Sequence, residues 1–186
     1  MYCNLDRLLA GCLKERAKAA PPRVALLIEG FPRPHHPIVE FAKLLFLLRE
    51  YHAKATFVVD WHDIRERGMT SSVAEMMKLL KHYNHEVAIK FKSEICGAHR
   101  LNQHAVEALH FLQRVYGITV VSAKVGCRLL PEIKSLSSLG VSVVDGVPNQ
   151  IVVQDTEFVV RDVAHVLRGT AGKEWVCVNQ LQVHTH

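Results

Sequence analysis

The sequence predicts an α/β domain built on a mainly parallel sheet. Three observations carry this: strand-length runs dominated by apolar residues, helical stretches between them long enough for a crossover, and no repeat, linker or low-complexity tract to divide the 186 residues. Such a domain carries its functional face at the C-terminal ends of its strands.

The elements follow in order. Leu5, Leu8, Leu9, Cys12 and Leu13 fall on one helical face, with Asn4 as a candidate cap and Pro21 and Pro22 as the stop, so residues 1–20 read as an amphipathic helix ahead of the domain proper, 21–186. Val24 to Ile28 is an apolar run suited to a strand buried on both faces. A helix from about Pro37 to Tyr51 and a second buried strand, Ala55 to Val59, complete a β-α-β unit. A helix from Ser71 to His82, a strand at Glu86 to Ile89, a helix from Asn102 to Val115 and a strand at Ile118 to Ser122 continue the alternation. Pro131 to Leu139 reads as a short helix stopped by Gly140, before a strand at Val141 to Val144. Beyond Val147, Ile151 to Val153 and Phe158 to Val160 read as strands, Asp162 to Leu167 as a short helix and Trp175 to Val178 as a last strand.

Composition narrows the function. The content is 49% apolar and 22% charged, that of a folded globular chain, and no apolar run is long enough to span a membrane. A net charge of +5 arises from 23 basic residues scattered among 18 acidic ones, which gives no basic block for nucleic acid. The N-terminal leucines, interrupted by Asp6 and Arg7, do not read as a secretory signal, and the five cysteines form no C-x-x-C pair, so reduced thiols and a cytoplasmic location are expected.

Val24-Ala25-Leu26-Leu27-Ile28-Glu29-Gly30-Phe31-Pro32, followed by a helix and then Lys54-Ala55-Thr56-Phe57-Val58-Val59, resembles the opening of the polysaccharide deacetylases, the NodB-homology or family-four carbohydrate esterases. Those proteins begin "VALTFDDGP" and continue through "KYGVKATFFV". Asn84 to Ile89 resembles their "GHEIGNH" strand, and Pro131 to Val144 their "PETLEALKELGYRVV" helix and strand. The resemblance spans roughly Arg23 to Val178. It implies an irregular seven-stranded (β/α) barrel of the glycoside hydrolase and deacetylase type, acting in carbohydrate metabolism on N-acetylated glycans with a divalent metal, usually zinc.

Carried over residue by residue, the resemblance places Glu29 at the catalytic base and Gly30 at the neighbouring metal-binding aspartate. Lys90 and Glu94 take the positions of two metal-binding histidines. Lys124 falls near the arginine that orients the base, and Asn179 near the histidine of "LLHD" that serves as acid. Glu29 keeps a carboxylate, but Gly30 has no side chain and an ammonium such as Lys90 has no lone pair to give a metal. One remaining carboxylate, Glu94, does not make a zinc site. The expectation is therefore a catalytically impaired deacetylase-like pseudoenzyme with a glycan-binding or scaffold role and no cofactor. Lys90 either pairs with Glu29 or Glu94, standing where the metal's charge stood, with Lys124 adding a second positive charge, or simply points to solvent as exposed lysines do.

The alternative is an active hydrolase of carbon–nitrogen, non-peptide bonds whose metal ligands are displaced. Twelve histidines leave room for it, with His35 and His36 on the loop after the first strand as candidate zinc ligands and His62, His85, His99 and His104 as candidate neighbours. Cys127, beside Arg128, is a weaker nucleophile candidate with no oriented histidine to name. Phosphate-cradling glycine patterns are absent from the sequence.

Overall fold

A computed structural model describes residues 21–33, 37–67, 70–91, 98–125, 136–145 and 147–182. The expected helix within residues 1–20, the histidines His35 and His36, Glu94, Cys127 and the start of the Pro131–Leu139 helix lie outside the described residues.

The described chain runs β1 (Arg23–Phe31), α1 (Ile38–Glu50), β2 (Ala55–Asp60), α2 (Trp61–Arg67), α3 (Ser71–His82), β3 (Glu86–Phe91), α4 (Ala98–Phe111) with a π-helical turn (Leu112–Tyr116), β4 (Ser122–Val125), β5 (Ser142–Val143), β6 (Gln150–Gln154), α5 (Val159–Gly169), β7 (Glu174–Val176) and α6 (Val178–Gln182). Every strand pairing is parallel, in the order β5-β4-β3-β2-β1-β6, and β7 joins the first residues of β1. Parallel strands need crossovers, and the helices supply them on one face of the sheet, so this is the helix-clad, part-closed barrel expected of the α/β class.

The pleat sorts β1 between two cores. Val24, Leu26 and Ile28 face the larger core with Phe41, Leu44 and Leu48 of α1. Ala25 and Leu27 face the opposite way, packing with Val58, Ala88, Val144 and Val178 inside the barrel. Because both faces are buried, the strand reads in sequence as an unbroken apolar run.

The structure departs from the sequence reading at four places. The ladder of β4 begins at Ser122, opposite Ala88, so Ile118 and Val120 are buried in an extended lead-in and not in a strand. Gly117, at φ 63°, ends the π-helical turn, and the Ile118 amide donates back to the Leu112 carbonyl at 3.1 Å. Phe158 to Val160 is not a strand: Val159, Val163, Ala164 and Leu167 are buried at helical spacing, and the short helix expected at Asp162 starts at Val159. The last strand stops at Val176, with Val178 already in α6. Helix α2 was not expected at all; Asp60 Oδ1 accepts from the amides of His62 at 2.9 Å and Asp63 at 3.4 Å, the capping role of an aspartate before a helix.

Candidate functional site

The inward-facing residues of the barrel lie in three layers along its axis. At the N-terminal end the Glu86 carboxylate accepts from Thr56 Oγ1 at 2.7 Å, from the Asn179 amide at 3.2 Å and from Ser122 Oγ. The middle layer is the apolar set around Leu27 and Val58. At the C-terminal mouth, where the sheet reading places function, stand Glu29, Lys90, Lys124 and Gln154.

Register explains why these four meet. Glu29 is opposite Val58 on β2 and Gln154 on β6, and Lys90 is opposite Lys124 on β4 and Asp60 on β2. Side chains two residues apart on a strand share a face, so each of the four continues the inward row of its own strand. Glu29 is 5% exposed. Its Oε1 pairs with Lys124 Nζ, and its Oε2 lies 3.8 Å from Lys90 Nζ and accepts from Gln154 Nε2 at 3.5 Å. Lys124 Nζ also lies 3.9 Å from Asp145 Oδ1, while Asp145 Oδ2 accepts from the Val125 amide at 2.9 Å. A buried carboxylate is thus held by two ammonium groups, as burial of a charge requires.

Gly30 follows at a β-bulge with φ +85°, where register with β2 slips between Glu29 and Phe31. A Cβ built there would meet nothing closer than Gln154 Oε1 at 3.9 Å. The backbone conformation, not lack of space, makes this a glycine position. Just beyond, Asp155 has a fully buried side chain facing Arg33 Nε at 3.7 Å, and its amide donates to the Glu29 carbonyl.

The sequence-derived site residues are therefore only partly brought together. Glu29, Gly30, Lys90 and Lys124 converge at the mouth. Asn179 does not: its amide donates to Glu86, at the other end of β3, and four residues of strand rise put that about 13 Å from Lys90. The residue that stands beside Glu29 is Gln154. The segment Ile151-Val152-Val153-Gln154-Asp155 is an apolar strand ending in a polar residue and an aspartate, the same order as "LLHD", and that was the available signal. Of the other histidines, His62 faces Glu66 at 3.1 Å and His104 faces Glu107 at 3.7 Å, both within their own helices. His85 sits at the N-terminal end, where its Nδ1 accepts from the Ala55 amide at 3.3 Å; burial, reinforced by Lys54, holds its pKa down at about 4.

The mouth fits an internal ion pair better than a zinc ion. Glu29 is already engaged by two cations, Gly30 brings no donor, and an ammonium stands at the Lys90 position. Among the described residues no three His, Cys, Asp or Glu side chains converge as a metal-binding group.

No family model and no curated protein matches the sequence. Solved structures do. The wild-type family 4 carbohydrate esterase pseudoenzyme BA3943 from Bacillus anthracis superposes with a TM-score of 0.65 at 11% identity, over 87% of this chain and 65% of that one. A BA3943 mutant described as having restored enzymatic activity superposes with a TM-score of 0.66 at 9% identity, over 88% and 68% of the two chains. Peptidoglycan deacetylase PdaC from Bacillus subtilis superposes with a TM-score of 0.64 at 13% identity, over 89% and 91%. The described chain has the polysaccharide deacetylase-like fold of the family 4 carbohydrate esterases.

Proposed function

We propose that this chain is a deacetylase-like domain of the pseudoenzyme kind, which engages an N-acetylated glycan at its barrel mouth without hydrolysing it. One observation carries the reading: Glu29, at the position the resemblance gives to the catalytic base, is paired with Lys124 and Lys90. A carboxylate that neutralises two ammonium groups is poorly placed to take a proton from water. Lys90 supplies positive charge where the resemblance expects a metal ligand, so the buried carboxylate stays compensated without an ion. The likeness of fold to both deacetylases and a pseudoenzyme is compatible with this reading.

The test is zinc stoichiometry by mass spectrometry on the purified, dialysed protein, with acetate release from chitin oligomers and peptidoglycan fragments measured on the same sample. The expected result is well under one zinc per chain and no acetate above background. About one tightly held zinc per chain together with acetate release would establish the displaced-ligand hydrolase instead, with His35 and His36 the first ligands to replace. Restoration by Gly30→Asp, Lys90→His and Glu94→His together is expected to fail, since the aspartate must adopt φ +85° at the bulge.

A further inference from the structure

We propose that the N-terminal end of the sheet, opposite the mouth, carries a second binding site, in which Arg49, Lys54 and His85 take a phosphate group, free or carried on a small organic molecule. The site rests on the cavity between these residues and is independent of the pseudoenzyme reading.

The cavity has a volume of about 330 Å³ and is lined by Arg49, His52, Ala53, Lys54, Tyr83 and His85. Its place follows from the fold: the turn after α1 leads into β2 and the turn after α3 leads into β3, and these two strands are ladder neighbours. Helix C-termini carry negative partial charge, which draws cations to them. Their carbonyls, however, are already met. The Leu48 carbonyl accepts from the Ala53 amide at 2.8 Å and the Arg49 carbonyl from the His52 amide at 2.9 Å, while the Leu80 carbonyl accepts from the His85 amide at 3.0 Å and the Lys81 carbonyl from the Asn84 amide at 3.1 Å. Lys54 Nζ donates to the Tyr83 carbonyl at 2.7 Å, in a part-buried setting. That bond uses one of its three donors.

Among the described residues no carboxylate lines the cavity. Glu50, next to Arg49 in sequence, is exposed and outside the lining, and Glu86, next to His85, is buried and spends its oxygens on Thr56, Ser122 and the Asn179 amide. Arg49 and Lys54 form no ion pair among the described residues. A part-buried ammonium without a counter-ion is an unbalanced charge that an anion completes. His85 feels it: burial first, and then Lys54, hold its pKa down at about 4, so the ring is neutral. Because Nδ1 accepts from the Ala55 amide at 3.3 Å, the ring hydrogen sits on Nε2 and is left as a donor for a ligand. A guanidinium fork, an ammonium and an imidazole N–H around one space suit a tetrahedral oxyanion with several acceptor oxygens. The cavity is larger than a bare phosphate requires, and Tyr83, packed partly on the core, gives an organic body a wall.

The full chain, labelled with nitrogen-15, is titrated at pH 7 and low salt with inorganic phosphate, glucose 6-phosphate and AMP in separate NMR experiments. At least one of the three is expected to saturate a single site with a Kd below about 1 mM, shifting the amides around Ala53 to Ala55 and Tyr83 to His85. Raising the salt to about 0.2 M should weaken it at least about threefold. Arg49→Gln, at an exposed position, is expected to weaken binding at least about fivefold with the rest of the spectrum unchanged, and Lys54→Gln, which keeps a donor for the Tyr83 carbonyl, at least about tenfold. Arg161→Gln, exposed on the first turn of α5, should leave the affinity as it is. Inorganic phosphate binding as tightly as the esters identifies the free ion as the ligand, and an ester binding at least about tenfold tighter identifies a phosphorylated small molecule. No saturation with any of the three up to about 10 mM overturns the proposal, as do shifts centred on Lys90 and Lys124 at the mouth, or an unchanged affinity in folded Arg49→Gln. The readout is an amide shift, so it stands or falls separately from zinc content and acetate release.

Discussion

Glu29 has only about a twentieth of its surface exposed, and this sets the unequal worth of the two lysines that hold it. Removing the closer partner, Lys124→Met, leaves a buried carboxylate short of a counter-charge and is expected to cost about 1–3 kcal/mol in urea unfolding. Lys90 is more exposed and its contact is longer, so solvent screens it; Lys90→Met is expected to cost less than about 1 kcal/mol. Equal losses would show that the pairing at Lys90 is as close as at Lys124. Gly30→Ala forces a β-carbon into φ +85° and is expected to lower stability by about 1–2 kcal/mol although space is open around it. The meeting of Glu29, Lys90 and Lys124 was legible through the resemblance, which places all three at one mouth, and each lies within two residues of the C-terminal end of its strand. Gln154 was missed because the carry-over took the final apolar segment, Val176 to Asn179, for the strand that Ile151 to Val153 forms.

At the scale of elements, strands buried on both faces announced themselves: β1 and β2 differ from the expected runs only at their ends. The difficulties came where an apolar run does not decide its own period. Ile118 to Val121 has the composition of a strand, yet β3 offers its ladder only from Ala88 onward, so pairing starts at Ser122. Phe158-Val159-Val160 is β-branched and aromatic and reads as a strand in a short window. The longer row Val159, Val163, Leu167 has a period of four, and this buried face decides the outcome. Leu167→Ala should therefore cost about 2–4 kcal/mol by chemical denaturation, since Leu167 is 2% exposed. A loss below about 0.5 kcal/mol would mean that this face of α5 is not packed on the core. Phe158, half exposed beneath the Arg161 guanidinium at 4.5 Å, should tolerate truncation far better.

Over the whole molecule, the layers inside the barrel differ in kind: charge at the mouth, apolar packing in the middle and a hydrogen-bonded plug at the N-terminal end. Acid should act first on the plug end. His85 is neutral with its pKa near 4, below the ordinary 6.5, so its contribution is complete above about pH 6.5 and is lost as pH falls toward 4. The loss should reach at most about 3 kcal/mol, and His85→Gln should flatten the melting profile between pH 6.5 and 4. The plug itself rests on Glu86, which joins Thr56 of β2, Ser122 of β4 and the first turn of α6. Thr56 Oγ1 in turn accepts from the Val178 amide at 3.0 Å. Glu86→Ala strips the acceptor from the buried hydroxyls of Thr56 and Ser122 and from the part-buried Asn179 amide, and is expected to cost about 2–4 kcal/mol. Cys177 reports where that loss falls. It is buried beneath the Ala55 carbonyl, with its thiol pushed up to about 11 mainly by burial, and should resist iodoacetamide at pH 8 in the wild type. If Glu86 pins β7 and α6 to the barrel, Glu86→Ala should raise labelling of the Cys177 peptide at least about tenfold under native conditions, because local opening exposes the thiol. Unchanged labelling in a folded variant would show that the C-terminal segment is held without Glu86, by the β7–β1 ladder, the Val178–Thr56 hydrogen bond and the apolar contacts of Val178 and Leu181.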